Sequence, residues 1–498
     1  MKFILSLDQG TTSSRAVLLD KRAQIVAVGQ EEFPQLFPRP GWVEHDADAI
    51  WGSQVRAIEM AFENGGVSWD SVSAIGITNQ RETVVAWNAE SGEPVGNAIV
   101  WQDRRTAGIC ESLRKAGKES WIQDKTGLLL DPYFSASKMR WILENRPEAK
   151  VLAEAGNLRF GTIDSWLVWK LTAGASHVTD VSNASRTQLM DLRSCEWDEE
   201  LLNLFGVPDS ALPRIVDSSG ELAETSAEVS GGVRVKIAGI AGDQQAALFG
   251  QLCFEPGMVK CTYGTGCFIL MNVGKGPAVS RNKLLSTVAW RMNGKTEYAL
   301  EGSVFVAGAA VQWLRDQLGI IKNAGEVEDL ARSVDDADGV VVVPAFAGLG
   351  APQWDPYARG SIFGLTRGSS AAHIARAVLD GIANQVHDLV SAMGGDSGRS
   401  MPELRADGGV SANGLLMQIQ SDVLRVPVKC PMILETTALG AGFLAGLALG
   451  YWDSKEALAE LVVADRSFEP SMSEEELERR LRMWRKALER AQAWEEES

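Results

Sequence analysis

Apolar and polar positions follow two different periods along the first eighty residues, and together they predict the order of elements. Two short apolar runs, 3–7 and 16–19, flank a polar turn that contains glycine, which predicts a pair of antiparallel strands. Residues 24–30 add a third strand. Apolar residues at helical spacing predict a helix over 46–63, and an unbroken apolar run predicts a buried strand over 72–78. Strands, a helix and a further strand indicate an α/β fold.

A similar order begins near residue 255, where a second polar turn with glycine separates two apolar runs. The elements predicted after it are a strand over 298–301, a helix over 304–317, a strand over 339–343, a long amphipathic helix over 373–393, a strand over 404–407 and a helix from about Asn413. This repetition predicts an internal duplication with a cleft between the halves. A chain of 498 residues is also too long for one ordinary core, so we expect two domains, 1–250 and 251–498.

The last part of the chain, 473–494, predicts an amphipathic helix. Ser473 and Glu476 have the spacing of a capping box, and apolar residues then recur every three or four positions. This helix either docks on the second half of the chain or contacts a partner subunit.

Charge and composition narrow the function. The formal net charge of −17 argues against a nucleic-acid groove or an anionic membrane surface as the partner. No uncharged apolar stretch approaches 18 residues and the start of the chain does not resemble a signal peptide, so we expect neither a membrane span nor secretion. The six cysteines show no metal-ligand spacing, which favours a reduced, cytoplasmic setting.

The two turns with glycine, 7–15 and 261–267, are candidates for phosphate binding. Backbone amides turned outward at such a turn, together with threonine and serine hydroxyls, can hold phosphate without net positive charge. One such turn is more often a plain hairpin, but a pair suits the two ends of a triphosphate. Asp8 lies just before the glycine of the first turn and Asp243 lies upstream of the second turn, and carboxylates beside phosphate indicate Mg²⁺.

Three further motifs can carry chemistry. Asp243, at the expected domain junction, can accept the proton of a substrate hydroxyl that attacks phosphate, although an aspartate beside glycine is usually a turn residue. Arg81 and Glu82 follow a buried strand and suit a small polyhydroxyl compound, although such a pair is more often an exposed ion pair. In the second half, Gly308 and Gln312 lie four residues apart on one helix face, and Gly408-Gly409 precedes a helix, so these positions can border a flat ring.

With these motifs in place, the chain resembles the FGGY family of carbohydrate kinases, in particular its members that phosphorylate glycerol. The resemblance covers nearly the full length and is carried by 7–17, 40–46, 76–83, 133–145 with Lys138 and Trp141, 240–251 and 360–380. It implies two duplicated actin/hexokinase-like (ribonuclease H-like) ATPase domains, the first for glycerol and phosphate and the second for the nucleotide. It also implies transfer of phosphate from Mg-ATP to glycerol, giving sn-glycerol 3-phosphate and ADP in glycerol catabolism, by a cytoplasmic homodimer or homotetramer.

The resemblance also implies a role for each matched residue. Asp243 is implied as the general base, and Asp8 as the residue that organises Mg²⁺. The glycerol site is implied to consist of Arg81, Glu82, Tyr133, Asp243 and Gln244, with Trp101 and Phe268 as apolar walls. The ATP site is implied to consist of Thr11, Thr12, Ser13, Arg15, Thr265, Gly308, Gln312, Gly409 and Asn413.

Two alternatives stay open at this point. One is a kinase for another small polyol or ketose, against which the combination of Arg81, Glu82 and Gln244 argues. The other is a non-catalytic ATP-binding switch of the actin or chaperone type, which would need neither a polyol pocket nor Asp243.

Overall fold

A computed structural model describes residues 2–433, 435–462 and 464–495 of the chain. The elements of the first half are β1 (Phe3–Gln9), β2 (Ser13–Leu19), β3 (Ile25–Glu32), β4 (Glu44–His45), α1 (Ala47–Gly65), β5 (Val72–Asn79), β6 (Val85–Asn88), β7 (Ala98–Ile99), α2 (Ala107–Lys115), α3 (Glu119–Thr126), α4 (Ser135–Asn145), α5 (Pro147–Glu154), β8 (Leu158–Gly161), α6 (Ile163–Leu171), β9 (Val178–Asp180), α7 (Val181–Ala184), β10 (Met190–Asp191), β11 (Glu196–Trp197), α8 (Glu199–Phe205), β12 (Arg214–Val216), β13 (Ser219–Glu224), β14 (Lys236–Gly242) and α9 (Asp243–Gly250).

The elements of the second half are β15 (Val259–Tyr263), β16 (Cys267–Gly274), β17 (Leu285–Met292), β18 (Lys295–Val304), α10 (Gly308–Asp316), α11 (Glu326–Arg332), β19 (Val341–Val343), β20 (Ser361–Phe363), α12 (Ala371–Ser397), β21 (Leu404–Asp407), α13 (Gly414–Leu424), β22 (Val428–Pro431), α14 (Thr436–Ala448), α15 (Lys455–Leu461), β23 (Ala464–Phe468) and α16 (Glu474–Ala491).

Thirteen of the described strands form one sheet in the order β23-β22-β21-β15-β16-β18-β17-β13-β14-β5-β1-β2-β3. In the first half, β3, β2 and β1 are antiparallel neighbours, and β5 and β14 continue parallel to β1. In the second half, β18, β16 and β15 are antiparallel neighbours, and β21 and β22 continue parallel to β15. The same strand order and directions therefore occur twice. The two copies meet where β13 and β17 pair at Ser219 and Met292.

A glycine- and alanine-rich helix, α14, fastens the second half onto the sheet of the first. It packs on β5 and β14, and the backbones approach so closely that a Cβ at Gly76 would lie 2.2 Å from the carbonyl oxygen of Ala441. Only a residue without a side chain fits there. This is the most apolar helical segment of the chain, and its burial inside the fold accounts for its composition.

Most predicted elements are present, but several of their boundaries differ from the prediction. β18 extends to Val304, because Val304 pairs with Cys267 of β16, so α10 begins four residues later than expected.

α16 ends at Ala491 rather than at 494. Its Ser473 hydroxyl accepts from the amide of Glu476, but the Glu476 carboxylate bonds Arg479 and Arg480 where a capping box needs it to turn back to Ser473. The face of α16 with Leu477, Leu481 and Trp484 is buried on the second half, which confirms the docking interpretation of this helix.

Candidate active site

The first turn joins β1 to β2 at the edge of the junction between the two halves. The amide of Gly10 donates to the carbonyl of Ser13 at 2.9 Å, and the pairing of Asp8 with Arg15 brings their side chains within 3.8 Å. The Thr11 hydroxyl accepts from the Trp101 indole at 3.1 Å, while Thr12 is exposed. The turn therefore leaves Thr12 exposed beside an acidic and a basic side chain, while the hydroxyls of Thr11 and Ser13 accept from Trp101 and Gln30.

Asp8 lies in an acidic surrounding. Burial raises the pKa of Asp8 to about 6, Arg15 opposes the rise, and the charges of Asp243 and Glu435 add to it. Arg15 also pairs with Glu435, which belongs to the second half of the chain. A partly desolvated carboxylate among other carboxylates is a donor set that suits Mg²⁺ held through water and phosphate oxygens.

Arg81 and Glu82 are buried, which excludes the exposed ion pair that local sequence favoured. The Nη1 and Nη2 atoms of Arg81 donate to the two carboxylate oxygens of Glu301 at 2.5 and 3.0 Å, and its Nε lies 3.0 Å from Oδ1 of Asp243. Glu82 accepts from Nε of Arg186 at 2.6 Å, and Arg186 also donates to Glu301 at 3.0 Å. The result is a closed cluster of two arginines and two glutamates, with Asp243 attached to it.

Glu82 has a φ of +62°, in the left-handed region that non-glycine residues rarely adopt. Such a conformation costs of order 1–3 kcal/mol and persists where neighbouring contacts hold it. Here the bond from Arg186 and a bond from the Ser135 hydroxyl to the Glu82 carbonyl, at 3.1 Å, hold it. Strain kept in this way is typical of functional positions.

Aromatic side chains lie next to this cluster. The rings of Trp101 and Tyr133 meet edge to face with centroids 5.6 Å apart, and Arg186 lies 5.7 Å from the Tyr133 ring. Phe268 lies on β16 opposite Ser303 of β18. Because side chains alternate along a strand, Phe268 shares a sheet face with Glu301. Trp101 and Tyr133 therefore lie beside the polar cluster, and Phe268 lies on the same face of the thirteen-stranded sheet as Glu301.

Asp243 begins α9, directly after β14, and its side chain is 35% exposed while the Arg81 side chain behind it is 2% exposed. Its Oδ1 atom also accepts from the amide of Gln244 at 2.7 Å. The Gln244 side chain accepts from the buried Lys260 ammonium, which donates to the Thr262 hydroxyl at 3.0 Å as well. One carboxylate oxygen is thus held in place while part of the group stays accessible, as a general base requires.

The second turn joins β15 to β16 and closes against the start of α10. Thr265 is exposed, and its carbonyl accepts from the amides of Ala307 and Ala309 at 2.8 and 3.1 Å. The amide of Gly308 donates to the carbonyl of Gly264 at 3.0 Å, and a Cβ at Gly308 would lie only 2.6 Å from that oxygen. Gly308 is therefore required for the approach of the helix to the turn.

Gly409 and Asn413 lie beyond the end of β21. A Cβ at Gly409 would meet no atom within 4 Å, so this backbone borders open space. The Asn413 side-chain oxygen accepts from the amide of Leu416 at 2.9 Å and caps α13, which leaves its amino group as the free end. Gln312 is exposed on α10, one turn after Gly308.

The structure thus brings Arg81, Glu82 and Asp243 together with Trp101 and Tyr133, and Thr11 joins this group through Trp101. Gly308 lies against the second turn, which carries Thr265. Sequence reasoning missed Arg186, Glu301 and Lys260. Glu301 is an acidic residue directly after the apolar run 298–300, and this was a signal that could have been used. No local feature marks Arg186.

Comparison with known proteins gives the family. The model of the N-terminal domain of the FGGY family of carbohydrate kinases matches residues 3–250, and that of its C-terminal domain matches residues 259–449. The chain belongs to the FGGY family of carbohydrate kinases and has its two-domain α/β fold.

Its relatives include proteins named glycerol kinase. The one from Halorhodospira halophila is 56% identical over 497 residues, which cover 100% of this chain and 98% of that protein. The one from Aromatoleum aromaticum is 57% identical over 494 residues, covering 99% of each. The crystal structure of Plasmodium falciparum glycerol kinase with ADP superposes with a TM-score of 0.94 at 37% identity, covering 99% of this chain and 98% of the other.

Proposed function

We propose that this chain catalyses the transfer of the terminal phosphate of ATP to glycerol, giving sn-glycerol 3-phosphate and ADP. The observation that carries the proposal is the contact of 3.0 Å between Nε of buried Arg81 and Oδ1 of half-exposed Asp243. It links a fixed carboxylate to a polar cluster whose charged groups can donate to and accept from hydroxyls. The full-length similarity to proteins named glycerol kinase supports the choice of acceptor.

In this mechanism the glycerol site consists of Arg81, Glu82, Tyr133, Asp243 and Gln244, with Trp101 and Phe268 against the carbon chain. Paired charged groups can donate to and accept from hydroxyls that both donate and accept. Asp243 takes the proton of the attacking glycerol hydroxyl while the hydroxyl oxygen bonds to the terminal phosphorus of ATP. The bond from that phosphorus to the oxygen of the departing ADP breaks. Phosphoryl transfer needs little beyond such a base, in-line positioning and charge stabilisation.

The nucleotide site has two parts. Thr11, Thr12, Ser13 and Arg15 of the first turn and Thr265 of the second are proposed to bind phosphate through hydroxyls and backbone amides. Gly308, Gln312, Gly409 and Asn413 are proposed to border the base and sugar.

Asp8 is proposed to hold Mg²⁺, which supplies charge neutralisation on the phosphates when bound. Among the described residues no cluster of three histidine, cysteine or acidic side chains could form a cage for a metal. This fits an ion that keeps several waters and phosphate oxygens as ligands.

We propose the same domain division as the sequence suggested, near residue 250, where α9 ends. A cytoplasmic location and a homodimer or homotetramer are proposed as well. In the part of the chain that the structure describes, no helix combines the length and apolar character needed to cross a bilayer. Light scattering coupled to gel filtration measures the oligomeric state.

The test is ADP release in a coupled assay with Mg-ATP and glycerol, dihydroxyacetone, xylulose, erythritol or no acceptor. Saturable release that depends on glycerol is expected, with much weaker release for the longer compounds. Preference for a ketose would contradict the choice of substrate. Equal release with and without acceptor would replace kinase activity with an ATPase switch.

A further inference from the structure

Two of the charged residues that sequence reasoning missed, Arg186 and Glu301, contact Arg81 and Glu82 of the proposed glycerol site. Glu301 accepts two bonds from Arg81, and Arg186 donates to Glu82 and to Glu301. All four side chains are at most 4% exposed. The partners in these bonds lie 104 to 220 residues apart, so none of the bonds follows from proximity along the chain.

We propose that Glu301 and Arg186 are positioning residues for glycerol, which orient Arg81 and Glu82 and, through Arg81, hold Asp243. This inference rests on the proposed function. It adds two residues that act on the substrate through others, and one of them, Glu301, belongs to the second half of the chain.

The geometry supports orientation rather than charge balance alone. Arg81 has its two Nη atoms on Glu301, and Nη1 also donates to Gln245 at 3.2 Å, so the planar guanidinium is held with its Nε toward Asp243. The backbone of Glu82 is in the left-handed region, and its side chain accepts a hydrogen bond from Arg186. Arg186 also retains an Nη1 donor without a partner among the described residues, next to the Tyr133 ring, and this donor suits a hydroxyl or a water.

The two glutamates are not equivalent. Burial alone would raise the pKa of Glu301, but Arg186 and Arg81 lower it to about 2. The pKa of Glu82 is raised by burial, which its two arginine neighbours only partly offset. Glu301 is thus the firmly ionised anchor of the cluster.

The main experiment compares Glu301→Gln with wild type in steady-state kinetics. The amide keeps the shape of the carboxylate but directs its amino group at an arginine, so Arg81 and Arg186 can no longer both be held. We expect the glycerol KM to rise at least tenfold, the ATP KM to stay within threefold, and kcat to fall less than the glycerol affinity, because Asp243 keeps its bond from the Gln244 amide. Arg186→Lys should also raise the glycerol KM, because a single ammonium replaces two separate guanidinium nitrogens, Nε on Glu82 and Nη2 on Glu301.

Asp422→Asn is the matched control. Asp422 is a buried carboxylate of α13 that accepts from the amides of Ser471 and Met472 at 2.6 and 3.0 Å, away from the pocket. The Asp422→Asn variant should have a lower thermal stability than wild type, with unchanged KM values for glycerol and ATP. If Glu301→Gln does not fold, Glu301→Asp replaces it, since a carboxylate shorter by one methylene keeps the charge but loses the double contact.

The outcomes separate this inference from the proposed function. Wild-type protein without glycerol-dependent ADP release would overturn both. An active wild type with a glycerol KM in Glu301→Gln or Glu301→Asp within threefold of wild type would overturn the positioning role alone. An equal rise of the glycerol and ATP KM values would also overturn it, because it would show general damage to the fold.

Discussion

Replacing Asp243 with asparagine should stop the reaction while leaving the substrates bound. An asparagine oxygen can still accept from the Gln244 amide and from Nε of Arg81, which contact Asp243 at 2.7 and 3.0 Å. Arg81 remains anchored by its two bonds to Glu301. We therefore expect the glycerol and ATP KM values to change less than tenfold.

The loss falls on kcat, because asparagine cannot take a proton. A positioned general base contributes about 10²- to 10⁴-fold to a rate. At about 1.4 kcal/mol for each factor of ten, the barrier should rise by about 3–5 kcal/mol. The assay is coupled ADP release with saturating Mg-ATP and a glycerol titration, which separates kcat from KM.

Asp191→Asn serves as the control for Asp243→Asn. Asp191 also accepts two backbone amides, those of Arg193 and Ser194 at 2.9 Å, but in the turn between β10 and β11. Its kcat should equal that of wild type. A kcat of Asp243→Asn within tenfold of wild type would show that Asp243 is not the base, and a loss of ATP binding would show a different, structural role.

Three further changes test other parts of the structure. Gly308→Ala should raise the ATP KM and leave the glycerol KM unchanged, since its Cβ would lie 2.6 Å from the Gly264 carbonyl, and kinetics with each substrate varied will show whether it does. Lys138→Met should lower the free energy of unfolding in urea by roughly 3 kcal/mol, because Nζ donates to the carbonyls of residues 132, 133 and 134 in a buried turn that carries Tyr133. Burial lowers the pKa of His45 from 6.5 to about 4. Between these two pH values the imidazole is protonated in the unfolded chain but neutral in the folded protein. The free energy of unfolding should therefore fall by about 3 kcal/mol as the pH drops from 6.5 to 4. His45→Gln should remove that part of the fall between about pH 7 and about pH 4.5, and an unchanged pH dependence would contradict it.

The sequence predicted the parts of the fold that local pattern controls. Strands β1 and β5 are nearly continuous apolar runs because they lie inside the sheet, and α1 and α12 show helical spacing because one face of each is buried. The start of α10 was misplaced because pairing of Val304 with β16 overrides the helical pattern there. That pairing involves residues 37 positions apart, Cys267 and Val304, and no local window contains both.

The candidate site divides in the same way. Residues next to a turn or a strand end, such as Asp8, Arg81 and Asp243, could be selected from sequence because their neighbours mark them. The burial of Arg81 could not be predicted, because it depends on Glu301, which is 220 residues away. The same holds for Arg186, whose partners lie on two other segments of the chain.

The repeated strand order makes this chain comparable to a dimer whose two subunits have been fused. In each copy the glycine turn joins the first and second strands, so Gly10 and Gly264 occupy equivalent positions, with Asp8 and Thr262 two residues before them. A true dimer of identical subunits would offer the same groups at both positions. Fusion removes that restriction, because each copy can change independently. The first copy can then keep an acidic residue, Asp8, at the position where the second copy has a hydroxyl, that of Thr262. The resulting site is asymmetric, which suits a reaction between two unlike substrates.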